Sequence, residues 1–398
     1  MSTTATALTQ MVDDWYKDME ERKIIGVVML DFTAAFDIID HDLLLKKLEY
    51  YGFSRTALLW MESYLSDRRQ LVYFNGSFSK VRVVEQGVPQ GSCLGPLLYT
   101  IFTNDLPTVL DKASISMFAD DSTVYLAGTD IGDLNTKLQR ELQLVVNWIR
   151  NNKLILNVSK TTCFVVGTPF SLLSKPKLEL TIEQNSVEQK EEAKLLGVMI
   201  DSRLCWDKHV QKLLTKMGNT LAVIKRCAKY FTPQIVKQVL YALFFSHLDY
   251  CSVVWSNTSS TNIKKLQVIQ NKAARLALSC GFRSNVDSMH ESLSWFKVEN
   301  RLVYSLMVFL YNVITNKTPF ISYAKLSFST DTHYYPTRHA VGGSFILPIV
   351  KTKSIQRSVR YRAMCEWNSL PNTIKQQNTL YGFKKSLKKY YLQRNIYS

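Results

Sequence analysis

The stretch MFADDSTVY, residues 117–125, sets two adjacent carboxylates, Asp120 and Asp121, in a run that otherwise has the apolar pattern of a β-strand. Two carboxylates about 4 Å apart repel each other by roughly 4 kcal/mol at an effective dielectric constant of about 20. Paired aspartates are common in tight turns, where their side chains bond to the local backbone. A plain β-turn between two strands is therefore one interpretation, and a functional acidic site is the other.

A further carboxylate follows a strand near the start of the chain. KIIGVVML, residues 23–30, is a continuous apolar run typical of a strand buried on both faces, and it ends at Asp31. The predicted elements follow the order β-α-β-β-α-β, which is that of a split βαβ sheet. Antiparallel strands at its centre would bring Asp31 next to Asp120 and Asp121. Three converging carboxylates supply the oxygen ligands that two Mg²⁺ ions require.

Local patterns predict the elements around these strands. Asp40 and Ser54 are predicted to be the N-caps of two short helices. Asn75 and Gly76 are predicted to form the turn of a hairpin. A helix at residues 130–152 is predicted to pack on the sheet, because six apolar residues share one of its faces. These six are Leu134, Leu138, Leu142, Val145, Val146 and Ile149. From Trp206 onward the pattern is mainly helical.

Charge differs between the two parts of the chain. Residues 1–150 hold 14 Lys and Arg against 20 Asp and Glu, whereas residues 151–398 hold 35 against 13. The basic part also has interleaved Tyr, Phe and Trp, which indicates a polyanion bound through its phosphates and by aromatic stacking. A merely solvated basic surface is the alternative. No short helix concentrates this charge opposite a strongly apolar face, which disfavours a membrane surface as partner.

The cysteines and the apolar segments bear on the compartment. The seven cysteines are widely spaced and include no C-x-x-C, so neither a disulfide framework nor a zinc knuckle is predicted. Free thiols are typical of a reducing compartment. Residues 1–20 lack the apolar core of a signal peptide, and no window approaches 18 uninterrupted apolar residues. The prediction is an intracellular protein of the cytoplasm or nucleus, not secreted and without a transmembrane segment.

Five motifs in the chain resemble those of the reverse transcriptases of non-LTR (LINE-type) retrotransposons, of the jockey/CR1-like group. In chain order they are LDFTAAFDIIDHDLL for motif A, QGVPQGSCLGPLLY for motif B, MFADD for motif C, NNKLILNVSKT for motif D and AKLLGVMID for motif E. The resemblance implies an α+β fold, with a palm made of a mainly antiparallel sheet and helices, followed by a mainly helical region. It implies a palm with partial fingers at residues 1–205 and a basic helical thumb and C-terminal region at residues 206–398.

The resemblance implies an RNA-directed DNA polymerase that uses an RNA template, a DNA primer and deoxynucleoside triphosphates. Asp31, Asp120 and Asp121 would be the catalytic residues. The same three carboxylates, with the carbonyl of Phe32, would bind two Mg²⁺ ions, or Mn²⁺ in their place.

Four residues would bind the incoming nucleotide. Phe36 would be the steric gate that excludes a ribonucleotide's 2′-hydroxyl, and an ordinary core Phe is the alternative. Gln90 and Gly91 would line the nucleotide and the template base. Lys160 would lie near the pyrophosphate, and a solvated surface lysine is the alternative.

Two further sets of residues would contact nucleic acid. Leu195, Leu196 and Gly197 match the family's primer grip, a hairpin that presses on the primer terminus. The basic part supplies four candidates for phosphate contacts along one predicted helix, which are Lys264, Lys265, Lys272 and Arg275.

Other conspicuous polar residues are interpreted as structural. His41, His209 and His247 lie at no metal-ligand spacing from a Cys or from one another. Asp37 and Asp40 are interpreted as turn and cap residues, and Asp13 and Asp14 as a solvated helix face.

The number of residues before motif A bears on activity. Enzymes of this family carry a fingers region there and, in this group, an endonuclease domain, whereas about 30 residues precede Asp31 here. The prediction is therefore a truncated and weakly active copy. A non-catalytic RNA- or DNA-binding remnant or domesticated protein is the alternative. An RNA-directed RNA polymerase is disfavoured by Phe36, because an enzyme using ribonucleotides would need a smaller residue there.

Overall fold

The chain folds into two compact units. The computed structural model describes residues 3–318, 326–328, 343–350 and 352–397. The first unit, here called the sheet unit, is Lys23–Glu191, and the second, the helical unit, combines Met1–Arg22 with Glu192–Ser398. The functional boundary predicted between residues 205 and 206 stays a prediction, and part of that C-terminal region lies outside the described residues.

Within the described residues, the sheet unit contains eleven strands, five of which form one sheet. Its strands are β1 (Ile24–Leu30), β2 (Arg69–Gln70), β3 (Tyr73–Phe74), β4 (Ser77–Phe78), β5 (Arg82–Val83), β6 (Ser114–Phe118), β7 (Asp121–Gly128), β8 (Thr162–Val166), β9 (Thr181–Ile182), β10 (Asn185–Ser186) and β11 (Glu188–Gln189). The five-stranded sheet has the order β11-β8-β1-β7-β6. Its central strand β1 runs antiparallel to both β7 and β8, as the split βαβ prediction requires.

Helices account for most of the remaining described residues. They are α1 (Thr4–Glu20), α2 (His41–Tyr50), α3 (Arg55–Leu65), α4 (Gly95–Thr103), α5 (Ile131–Asn151), α6 (Asp207–Cys227), α7 (Pro233–Val239), α8 (Ser246–Asp249), α9 (Ser252–Trp255), α10 (Ser260–Leu278), α11 (Val286–Leu293) and α12 (Val298–Asn316), followed by Lys353–Gln356, Val359–Ser369, Asn372–Lys375 and Leu380–Tyr397. The predicted mainly helical character after Trp206 is confirmed. In the described part of the chain, no helix is both long and apolar enough to cross a membrane.

Helix α5 buries the apolar face that the sequence predicts. All six residues of that face are buried in the core of the sheet unit. Gly26 of β1 allows the helix to approach closely, because a Cβ there would lie 2.8 Å from Leu138 Cδ2. Each fully buried Leu or Val of this face contributes about 1.5–3 kcal/mol relative to an exposed one.

The predicted caps and turn are confirmed. The Asp40 carboxylate accepts a hydrogen bond from the backbone N–H of Leu43 at 2.9 Å, which caps α2. The Ser54 hydroxyl accepts one from the N–H of Ala57, which caps α3. Asn75 and Gly76 both have positive φ, as a tight hairpin turn between β3 and β4 requires.

Helix α1 belongs to the helical unit, and its Asp13 is not on a solvated face. The Asp13 carboxylate accepts hydrogen bonds from the backbone N–H groups of Val359 and Arg360, at 2.6 and 3.0 Å. It therefore caps the helix Val359–Ser369, and burial raises the pKa of Asp13 to about 6. The solvated-face interpretation of Asp13 is therefore wrong. No local pattern marks the contact, because its partners lie more than 340 residues away in the chain.

Candidate active site

The pairing of β1 with β7 brings the predicted acidic positions to one end of the sheet. Leu30 of β1 pairs with Ser122 of β7, so Asp31 directly follows the last paired residue of β1, and Asp121 directly precedes Ser122. Neighbouring strands lie about 5 Å apart. The backbone of Asp31 therefore ends β1 beside the start of β7.

The adjacent carboxylates occupy a tight hairpin turn. Phe118 pairs with Asp121, and the two-residue loop between them is Ala119 and Asp120. Ala119 has φ of +52°, a left-handed conformation that is unusual for a residue with a Cβ. Asp120 and Asp121 are exposed, whereas Asp31 is half-buried. Across the described ranges, no three His, Cys, Asp or Glu side chains are grouped so as to hold a metal ion.

The backbone of Asp31 is fastened by the segment that carries motif D. The N–H of Asn157 donates to the carbonyl of Asp31 at 2.7 Å. The N–H of Asp31 donates to the hydroxyl of Thr161 at 3.3 Å. The N–H of Thr33 donates to the carbonyl of Ile155 at 2.9 Å. Asp31 therefore ends β1 in a fixed backbone position.

The carbonyl of Phe32 points away from the motif D segment. Phe32 and Leu156 form an isolated antiparallel bridge, in which the hydrogen bonds are made by Asp31 and Thr33. Because the N–H of Thr33 in the same peptide unit donates to Ile155, the Phe32 carbonyl points away from that segment. The Phe32 side chain is buried.

Lys160 lies on the turn that holds Asp31. Its backbone N–H donates to both the carbonyl and the side-chain oxygen of Asn157, each at 3.2 Å. Its side chain is exposed. Lys160 thus lies three residues after Asn157, whose N–H binds the Asp31 carbonyl.

Phe36 packs against Tyr99, which no local sequence pattern marks as a site residue. The rings of Phe36 and Tyr99 stack with centroids 4.5 Å apart. Tyr99, in α4, is almost fully buried, and burial raises its pKa strongly, with a further contribution from the negative charge of Asp120. Phe36 itself is half-buried. The structure therefore brings the predicted gate residue beside a phenol that experiences the Asp120 charge.

Gln90 is held by Asp37, whose sequence pattern indicates only a turn residue. The Gln90 side-chain amide donates to both carboxylate oxygens of Asp37, at 2.8 and 3.0 Å. Both side chains are exposed. Asp37 follows Phe36 directly, so one short segment carries both the predicted gate and the group that orients Gln90.

The motif B loop is bonded to the same segment through its backbone. The N–H of Val88 donates to the Phe36 carbonyl at 2.8 Å, and the N–H of Gly87 donates to the Ile39 carbonyl at 2.7 Å. Gly87 has φ of +82°, and a Cβ there would lie 2.5 Å from the Asp37 carbonyl oxygen. Gly91 also has positive φ, but a Cβ added to it would meet no other atom within 4 Å, so the backbone there is open to a ligand.

The predicted primer grip is a hairpin in the helical unit. Strand β12 (Glu192–Leu195) pairs with β13 (Val198–Asp201) through a two-residue turn of Leu196 and Gly197. Both turn residues have positive φ, which is typical of a type I′ turn. The hydroxyl of Tyr250 donates to the Leu196 carbonyl at 2.8 Å, so a side chain from the turn that follows α8 supports the hairpin turn.

The four predicted phosphate contacts all lie on α10. Lys264, Lys265 and Lys272 are exposed, and Arg275 is half-buried. The Arg275 side chain donates to the carbonyl of Phe282. One helix therefore presents all four cations, although the carboxylates lie in the other unit.

The three histidines bond to the protein itself, as their spacing in the sequence predicts. His41 contacts the Gly87 carbonyl at 2.9 Å, and His247 contacts the Thr220 hydroxyl at 3.2 Å. His209 is buried, and its Nδ1 accepts a hydrogen bond from the N–H of Met199 at 3.3 Å.

Comparisons with known proteins identify the family. Residues 4–200 match the family described as "Reverse transcriptase (RNA-dependent DNA polymerase)". The chain belongs to the reverse transcriptases. Similarity to proteins of jockey and other non-LTR retrotransposons supports a reverse transcriptase of that kind.

The relatives that support this are insect transposon proteins. The chain is 28% identical to the "Probable RNA-directed DNA polymerase from transposon BS" of Drosophila melanogaster, over 71% of this chain and 32% of that protein. It is 29% identical to the corresponding polymerase from transposon X-element of the same organism, over 73% and 32%. It is 28% identical to the "RNA-directed DNA polymerase from mobile element jockey" of Drosophila funebris, over 68% and 30%. The chain thus spans about a third of the length of these relatives.

Among solved structures, the chain is similar to apo telomerase from Candida tropicalis. The TM-score is 0.40 and the sequence identity 13%, with 81% of this chain and 56% of that chain covered.

Proposed function

We propose that this chain is an RNA-directed DNA polymerase that extends a DNA primer on an RNA template from deoxynucleoside triphosphates. In this proposal residues 1–205 are the palm with partial fingers, and residues 206–398 are the basic helical thumb and C-terminal region. The observation that carries the proposal is the antiparallel pairing of β1 with β7, which ends at Asp31 on one strand and at the Asp120-Asp121 turn on the other.

The donor set at this end of the sheet fits a hard divalent cation. It consists of carboxylate and carbonyl oxygens, which Mg²⁺ prefers over nitrogen or sulfur ligands. Asp31, Asp120 and Asp121, with the Phe32 carbonyl, would hold two Mg²⁺ ions or Mn²⁺ in their place. Bound there, such ions would favour ionisation of the primer 3′-hydroxyl and stabilise charge on the departing pyrophosphate. The exposure of Asp120 and Asp121 gives a ligand access to both side chains.

The surrounding residues would orient the nucleotide. Gln90, fixed by Asp37, would present its remaining amide oxygen to the nucleotide or template base. Gly91 would let the backbone approach closely. Phe36, whose ring rests on Tyr99, would occupy the space that a 2′-hydroxyl needs. Lys160 would donate a proton or a hydrogen bond to the pyrophosphate. Phosphoryl transfer relies mainly on such positioning and charge stabilisation.

The helical unit would hold the primer and template. The Leu195-Leu196-Gly197 turn, supported by Tyr250, would press on the primer terminus. The α10 cations would neutralise backbone phosphates, and each phosphate contact on a duplex would contribute about 0.9 to the slope of log affinity against log salt.

Primer extension on an RNA template tests the carboxylates. We expect Asp120→Asn to lower extension by about a hundredfold or more, because it removes a charged oxygen from the reacting centre. Binding of the primer-template should be unchanged or slightly tighter, because a negative charge beside phosphate is lost.

Asp133→Asn is the matched control. Asp133 is another exposed carboxylate of the sheet unit, but it pairs with Lys137 on α5. It should leave extension unchanged. An Asp120→Asn protein that extends primers at the parent rate would contradict the assignment of Asp120 as a catalytic residue. A parent chain that binds the primer-template but extends no primer would favour a non-catalytic nucleic-acid-binding protein.

A further inference from the structure

A concave site in the helical unit combines an apolar floor with a cationic rim. The cavity has a volume of about 720 Å³ and lies between α6, α7, α10 and the loop after α10. Leu221, Val236 and Ile269 contribute to its floor. Its volume falls within the roughly 300–1,000 Å³ typical of sites for small organic groups. We propose that this cavity binds an unpaired nucleotide of single-stranded RNA, with its base stacked on an aromatic side chain and its phosphates on the rim.

Charge makes a polyanion the favoured occupant. Lys225, Lys229, Lys272 and Arg275 line the cavity, and none of its described lining residues is acidic. The bias extends to the surrounding sequence, because residues 208–286 contain twelve Lys and Arg and a single acidic residue, Asp249. Asp249 forms an ion pair with Arg301 and does not line the cavity. A cluster of cations without counter-charges attracts phosphates.

The aromatic ring of Phe282 lines the edge of the cavity. Phe282 is 85% exposed, although such rings are normally covered. Arg275 keeps it in place, because its Nε donates to the Phe282 carbonyl at 3.1 Å and its guanidinium lies 5.1 Å from the ring centroid. Phe231, also partly exposed, lines the cavity as well. The site thus presents exposed aromatic faces next to cations.

This combination favours an unpaired base over a duplex. Bases within a duplex are already stacked on both faces, whereas an unpaired base gains by stacking on a protein aromatic ring. Duplex binding through phosphates alone would use the cations but would leave Phe282 and the apolar floor uncovered. The inference rests on the proposed function for the kind of ligand, but it concerns binding alone and requires no catalysis.

Fluorescence anisotropy of the full chain tests the site. The probes are a labelled single-stranded RNA of about 12 nucleotides, an abasic strand of the same length, and a blunt duplex, all with EDTA and without nucleotides. We expect Phe282→Ala to weaken binding of the RNA about tenfold, since stacking is lost, and to leave binding of the abasic strand and the duplex unchanged. Phe282→Tyr, which keeps the ring, should bind like the parent chain.

Two further variants separate charge from stacking. Lys225→Ala combined with Lys229→Ala should lower the salt slope for single-stranded RNA by about 1.4, at roughly 0.7 for each lost phosphate contact. Phe170→Ala is the matched control, because Phe170 is another exposed Phe but lies in the sheet unit. It should bind all three probes like the parent chain.

The outcomes separate this inference from the proposed function. Equal losses on the RNA and abasic strands, or no loss on either, would overturn the nucleotide site. So would a parent chain that self-associates through Phe282 without binding RNA, since that would indicate a protein-docking surface. If the Asp120→Asn chain still binds RNA in a Phe282-dependent way, the nucleotide site is independent of catalysis. If the parent chain shows that binding but extends no primer, only the proposed function fails.

Discussion

The side-chain amide of Gln90 donates hydrogen bonds to both carboxylate oxygens of Asp37. This bond joins motif B to motif A across more than 50 residues of sequence. It leaves the carbonyl oxygen of the Gln90 side chain for a ligand. Asp37 therefore acts as a positioning residue for Gln90 in the proposed nucleotide site.

We expect Asp37→Ala to raise the KM for deoxynucleotides about tenfold with a smaller change in kcat, because a bond to a charged group that orients Gln90 is lost. Asp37→Asn, which keeps one acceptor oxygen, should restore much of the affinity. Steady-state primer extension measures both constants. In a double-mutant cycle, Asp37→Ala should add little to Gln90→Ala. Fully additive effects would show that the two residues act independently.

The Phe36 ring rests against Tyr99, and in the proposed nucleotide site this contact would support sugar selection. We expect Phe36→Val to increase ribonucleotide incorporation about tenfold or more relative to deoxyribonucleotides, since the exclusion is steric. Tyr99→Leu should relax the discrimination less, because it removes the support and not the gate. Competitive incorporation of the two kinds of nucleotide gives the ratio. Unchanged discrimination in Phe36→Val would assign Phe36 to the core alone.

Gly87 and Gly91 form a natural pair for testing the motif B loop. Both have positive φ, but only at Gly87 would an added Cβ meet backbone, 2.5 Å from the Asp37 carbonyl oxygen. We expect Gly91→Ala to cost about 1 kcal/mol of unfolding free energy from its backbone conformation. Gly87→Ala should cost about 3 kcal/mol or more, since the clash forces the loop to move. Urea unfolding measures both, and equal costs would contradict the close contact.

His209 should make stability depend on pH. Burial lowers the pKa of His209 to about 4, with a contribution from the charge of Lys216. The unfolded chain takes up this proton near pH 6.5 and the folded chain only near pH 4. Stability is therefore fully present above pH 6.5 and falls as the pH drops toward 4, by at most about 3 kcal/mol from this group.

The comparison with His209→Asn isolates this effect. Asparagine keeps an acceptor for the Met199 N–H but does not titrate. The difference in unfolding free energy between the two proteins should change steadily between pH 6.5 and 4. Asp13 contributes with the opposite sign, because its pKa is raised, but it does so in both proteins and cancels. A constant difference across this range would show that His209 is not buried in its neutral form.

Motif order and local pattern were enough to predict the centre of the sheet. A continuous apolar run ends at Asp31, and a strand-turn-strand pattern surrounds Asp120. Antiparallel pairing of these strands predicts that the two aspartates lie at the same end of the sheet, and the structure has that pairing. The α5 face and the caps at Asp40 and Ser54 were predictable for a similar reason. Periodicity and capping depend on residues within one or two turns of the chain.

The contacts that orient the side chains were decided only by the tertiary structure. The Asp37 carboxylate accepts hydrogen bonds from Gln90, and the Phe36 ring stacks on Tyr99. Asp13 of α1 accepts a hydrogen bond from the N–H of Val359. Each partner lies more than 50 residues away in the chain, so no local pattern marks it. The sequence around Asp13 or Asp37 is the same whether its carboxylate bonds to water or to a distant donor group. Burial and hydrogen-bond partners arise only when separate segments pack together.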